Sequence, residues 1–69
     1  MTEIVFLIEE DPEGGYCASA AGADIFAQAE TVDELKAQIR DAVVCHFDDE
    51  RERPRIVRLH FTRDEVMAI

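Results

Sequence analysis

Seven carboxylates stand in two short runs of this chain, Glu9-Glu10-Asp11-Pro12-Glu13 and Asp48-Asp49-Glu50. Carboxylates that converge on two divalent metals hydrolyse phosphodiesters. Carboxylates gathered in a turn or at a helix end instead offer a surface to a basic protein. Both runs are of the second kind, and only Glu3 and Asp24 fall near the ends of apolar strand-like segments. Cys45-His46, with His60 and Cys17, supplies zinc-type ligands, but no Cys-x-x-Cys or His-x-x-x-His spacing is present. Adjacent helix residues point about 100° apart, so Cys45 and His46 are poorly placed to chelate one ion. A Cys–His nucleophile pair would need an orienting third group and an oxyanion loop, and neither is evident. Gly14-Gly15 follows acids and precedes a strand, whereas phosphate cradles open a helix; it is a turn. The arginines from Arg51 to Arg63 are interrupted by Glu52 and Asp64, which suits salt bridges better than a nucleic-acid stripe. No catalytic residue, metal or cofactor is expected.

The elements that position these groups can be read from periodicity. Ile4 to Ile8 is continuously apolar and predicts a strand covered on parts of both faces. Pro12 and the Gly pair then turn the chain: Pro presets φ and Gly accepts φ > 0. Tyr16–Ala20 is the returning strand, and Ile25–Ala29 a third. Thr31 followed by Glu34 forms a capping box, in which the hydroxyl accepts from the N3 amide and the carboxylate reaches back to the cap amide. From it a helix is expected to run to about Asp48. Val32, Leu35, Ile39, Ala42, Val43 and Phe47 make its buried stripe, with Lys36, Arg40 and Asp41 in solvent. Pro54 forbids continuation, and Ile56–Phe61 alternates with Val57, Leu59 and Phe61 on one face. Cys17 and Cys45 are expected as small buried hydrophobes, His46 as partly buried and His60 as solvent-facing. The order β-β-β-α-β predicts a two-layer α+β domain over residues 1–61, an antiparallel meander with one helix on one sheet face. Residues 62–69 are a tail that extends the sheet, forms a helical turn or docks on a neighbouring subunit.

Sixty-nine residues make one domain near the lower size limit for a self-sufficient core, burying only roughly 60% of its unfolded surface. With two cysteines, no secretory segment and no metal set, self-association is the expected supplement. The net charge of −9 opposes nucleic acid and anionic membrane surfaces and leaves a basic protein as the favoured partner, unless the charge serves solubility alone. No apolar run spans a bilayer, and a cytoplasmic location is expected.

The chain resembles the HicB-like antitoxins, whose N-terminal domain is a β-β-β-α-β fragment related to the RNase H fold. The likeness lies in the acidic turn Glu10 to Tyr16, in Gln28-Ala29-Glu30-Thr31-Val32-Asp33-Glu34 opening the helix, in Ile39-Arg40-Asp41-Ala42, and in the acidic run before Pro54. It covers Ile4 to Phe61. The family's Pro between the second and third strands is missing from Ala20-Ala21-Gly22, and Leu35 stands where Ala is usual. Full-length family members add a C-terminal DNA-binding domain, which residues 1–69 are not expected to hold, so operator binding is not carried over. The resemblance implies a non-catalytic module that masks a small basic RNase toxin. Its candidate contact residues here are Glu9, Glu10, Asp11, Glu13, Asp48, Asp49 and Glu50. The other reading from the sequence is a stand-alone homo-oligomer with a structural or ligand-binding role.

Overall fold

The computed structural model describes residues 2–69. Its elements are β1 (Glu3–Glu10), β2 (Tyr16–Ala20), β3 (Phe26–Ala29), α1 (Val32–His46) and β4 (Ile56–Thr62). They form one four-stranded sheet of order β3-β2-β1-β4 with the helix on one face, the expected α+β architecture. The antiparallel meander holds for β1–β3, but β4 pairs parallel with β1, so the sheet is mixed. This follows from the connection. β3 and β4 run the same way on opposite edges, and a chain joining them must cross the sheet, which α1 does.

Register assigns the faces. Ile4, Phe6 and Ile8 share the helix side with Ala18 and Ala20 of β2 and with Val57, Leu59 and Phe61 of β4. Ala27 and Ala29 join them from β3. The buried core is Ile4, Phe6, Ile8, Ala18, Ala27 and Ala29 of the sheet with Ile25 and with Leu35, Ile39 and Val43 of α1; Phe6, Ile8 and Leu35 are wholly enclosed. The alanines of β2 and β3 let α1 settle over that side of the sheet. On the β4 side the helix gives less cover: Val57 remains 37% and Phe61 48% exposed. Val5 and Leu7 alternate to the open face, where Leu7 is uncovered, so the apolar run of β1 is enclosed on one side only.

Local chemistry sets the boundaries. The Thr31 hydroxyl accepts the Glu34 amide at 3.2 Å, as the capping box requires, although no bond from Glu34 back to the Thr31 amide accompanies it. The helix stops at His46, two residues before the expected end, with Phe47 as its C-cap. Arg53 caps this end: its Nε and Nη2 donate to the Phe47 carbonyl at 3.3 and 3.1 Å, satisfying an acceptor left free past the last helical turn. β3 begins at Phe26, one residue later than expected, although Ile25 is buried. Past Thr62 the chain is neither strand nor helix, and Val66, Met67 and Ile69 are exposed.

Candidate functional site

The β1–β2 turn is built around one carboxylate. Asp11 Oδ1 accepts the Glu13 amide at 2.9 Å, an Asx turn, while the Asp11 carbonyl accepts from Gly14 at 2.9 Å and the Asp11 amide donates to Gly15 at 3.0 Å. Gly14 and Gly15 both have positive φ, 107° and 88°. This geometry leaves Glu9, Glu10 and Glu13 exposed at the tip of the sheet. Because Tyr16 pairs with Ala29, the start of α1 lies at the same end. Glu30 and Glu34 there share a hollow of ≈ 290 Å³ with Asp11 and the two glycines. Asp64 joins Glu9, Glu10 and Asp11 around a neighbouring hollow on the β4 side. One end of the molecule therefore concentrates acid from three separate stretches of sequence.

Asp48, Asp49 and Glu50 do not extend this surface. They lie in the α1–β4 connector beside the start of β1, where Arg55 and Ile56 donate to the Thr2 carbonyl. The eight residues of β1 separate them from the hairpin by about 27 Å at 3.4 Å per residue. Asp49 is also engaged locally. Its Oδ1 accepts the Arg51 amide at 2.9 Å and its Oδ2 meets Arg51 Nη2 at 3.2 Å. These side-chain and backbone hydrogen bonds, with Arg53 nearby, hold its carboxyl below the ordinary carboxylate value. The seven candidate carboxylates thus make two sites, of which only the hairpin gathers further acid.

Cys45 and His46 are exposed, contrary to the expectation of burial: Cys45 lies about 200° round the helix from the buried Val43, and His46 is the last helical residue. The His46 ring stands edge-on to Phe47 at 4.8 Å. Asp24 shares a shallow depression with Cys45 and His46, yet no hydrogen bond among the described residues links the three. Cys17 is half-buried on the open face of the sheet, remote in register from both. Glu3 is committed to Arg58 across the open face, with Nη2 at 2.8 Å and Nε at 2.9 Å. Among the described residues no cluster of His, Cys, Asp or Glu is arranged to hold a metal ion, and no helix is long and apolar enough to cross a membrane.

Sequence reasoning missed a groove of ≈ 410 Å³ between α1 and β4. Lys36 and Arg40 line it from the helix, Arg53 and Arg55 from the connector, over a floor of Val43, Val57 and Leu59. Four of the chain's seven Lys and Arg residues meet there, although the whole chain carries −9. The signal was present in part: Lys36 and Arg40 are four apart on one helix face. What the linear sequence did not show is that α1 stops short of β4 and leaves the connector arginines opposite them.

Two proteins are similar to this chain over most of its length. A UPF0150 protein of Thermotoga maritima is 40% identical over 67 residues, 97% of this chain and 93% of the relative. A UPF0150 protein of Archaeoglobus fulgidus is 49% identical over 53 residues, 77% of each chain. No protein-family model matches the chain, and no solved structure matches it.

Proposed function

The chain belongs to the UPF0150 family, and on that premise we propose that it is a HicB-like, non-catalytic protein-binding module that associates with itself and masks a small basic RNase toxin. The observation that carries the toxin part is the acidic end. Glu9, Glu10 and Glu13 stand exposed on a turn whose shape Asp11 fixes, with Glu30, Glu34 and Asp64 around them. A preorganised acidic tip attracts a basic protein during encounter and costs little ordering on contact. The exposed residues of the β4 side and tail support self-association: a domain this small leaves Phe61, Val66 and Met67 in water.

The mechanism is steric masking, and no bond is made or broken. Co-expression with the neighbouring reading frames, followed by native mass measurement, tests it. The expected result is a heterocomplex with a small basic protein whose RNase activity falls when this chain is present. A discrete homo-oligomer with no such partner would replace the antitoxin role with a stand-alone structural or ligand-binding one. Metal-dependent cleavage of an RNA–DNA hybrid, lost on Asp24→Asn or Glu3→Gln, would overturn the non-catalytic reading.

A further inference from the structure

We infer that the outer edge of β4 is the self-association surface, and that it pairs antiparallel with β4 of a second copy so that the tail of each chain lies along the basic groove of the other. This deepens the self-association half of the proposed function and rests on it.

β4 is the terminal strand of the sheet, bonded to β1 on one side only. The Ile56 amide donates to Thr2, so the amide and carbonyl groups of Ile56, Arg58 and His60 face inward to β1. Strand alternation then points those of Val57, Leu59 and Phe61 outward, and no backbone partner among the described residues meets them. The three residues that present free hydrogen-bonding groups also carry the apolar side chains that α1 leaves incompletely covered. A second strand laid on this edge satisfies the backbone and covers the row.

Charge and length then choose the occupant. An antiparallel two-fold pair must match residues of the same face, so its axis passes through a residue pair. Centred on His60, the register sets Leu59 against Phe61 of the other copy and Glu65 against Arg55. It also sets Val66 against Pro54, which lines the groove. Arg55 forms no ion pair among the described residues, whereas Glu65 meets only its neighbour Arg63 at 3.0 Å. Centring on Leu59 would oppose Arg55 with Arg63, and centring on Arg58 would oppose two arginines. On its own chain the tail only borders the open hollow beside the hairpin and buries little there. The molecule measures 52 × 19 × 17 Å, and Val66 and Met67 are 96% and 84% exposed. Leaving β4 at the end far from its own groove, each tail runs toward the groove of an antiparallel partner.

The test uses the full chain and measures dimer affinity by sedimentation at several concentrations. Glu65→Arg alone and Arg55→Glu alone are expected to weaken the dimer roughly tenfold each, since two symmetric contacts change from attraction to repulsion. Combining them is expected to restore the wild-type affinity. Both positions are exposed, so the fold tolerates the changes. Independently, His60→Cys with Cys17→Ser and Cys45→Ser is expected to give a disulfide-linked dimer under mild oxidation, because a non-hydrogen-bonded antiparallel pair brings its Cα atoms to about 4.5 Å. A dimer that ignores the charge reversals and fails to cross-link would overturn the β4 edge while keeping self-association. A monomer at every concentration would overturn both.

Discussion

The two glycines of the hairpin are not equivalent, although both have positive φ. A Cβ on Gly14 would meet nothing within 4 Å, whereas one on Gly15 would lie 3.0 Å from the Ala29 carbonyl oxygen. That oxygen belongs to β3 backbone and cannot swing aside. Gly14→Ala should therefore cost about 1 kcal/mol, the left-handed backbone penalty, and Gly15→Ala about 2 kcal/mol or more. Urea unfolding midpoints of the two variants compare them directly, and equal losses would mean that the approach to Ala29 is not felt. Asp49 shows a different residue-scale effect. Its carboxyl is held below the ordinary 3.8, first by the Arg51 side chain and then by the Arg51 amide. A depressed carboxylate stabilises the fold above its unfolded value, and that contribution disappears as pH falls through the lower folded one. Carbon-13 titration should place the Asp49 midpoint below 3.8, and Arg51→Ala should return it toward that value. An unchanged midpoint in the variant would leave Arg51 without the role the geometry gives it.

Among the elements, the helix shows most plainly what sequence can convey. Thr31 fixes its start because a hydroxyl at the cap has one local use, to accept an amide three residues on. Thr31→Ala should cost about 1 kcal/mol, while Thr31→Ser should keep most of the stability. In a domain of this size that is a fall of roughly 4–8 °C in Tm. Thermal unfolding by circular dichroism reads it, and a Tm equal to wild type in Thr31→Ala would show that the cap is idle. The stripe Leu35, Ile39 and Val43 was legible for the same reason: period 3.6 is a local property. The helix end was read two residues late, because Phe47 leaves the helical conformation and Arg53 reaches back to its carbonyl, which no local pattern shows. The strand order of the first three elements followed from short turns, but the parallel placement of β4 is a property of the crossover. The exposed thiol of Cys45 follows from helical phase instead, about 200° from the buried Val43, so that miss lay within reach of the same period. Only the placement of β4 rests on pairing between residues distant in sequence.

At the scale of the molecule, charge is sorted by the fold in a way its total conceals. The acidic tip draws on the hairpin, the helix start and the chain after β4, while four cations line the groove beside the connector. Composition made a basic partner legible, and the hairpin carboxylates were among the candidates. Their separation from Asp48, Asp49 and Glu50 was not legible, because it depends on the length of β1 and the direction of β4. The two clusters make a testable contrast. Glu9→Gln, Glu10→Gln, Asp11→Asn and Glu13→Gln together change the net charge from −9 to −5, by four neutralised acids. Asn at position 11 retains the side-chain oxygen that holds the turn. Asp48→Asn, Asp49→Asn and Glu50→Gln change it from −9 to −6, nearly as far. If the tip steers the encounter, the first variant should slow association with the co-purified basic partner by about tenfold at low salt, and the second should change it little. Both differences should shrink as ionic strength rises and the screening length falls below about 10 Å. Stopped-flow association rates at two salt concentrations provide the measurement. Equal slowing by the two variants would mean that the partner senses net charge alone, and the hairpin would then hold no special place in recognition.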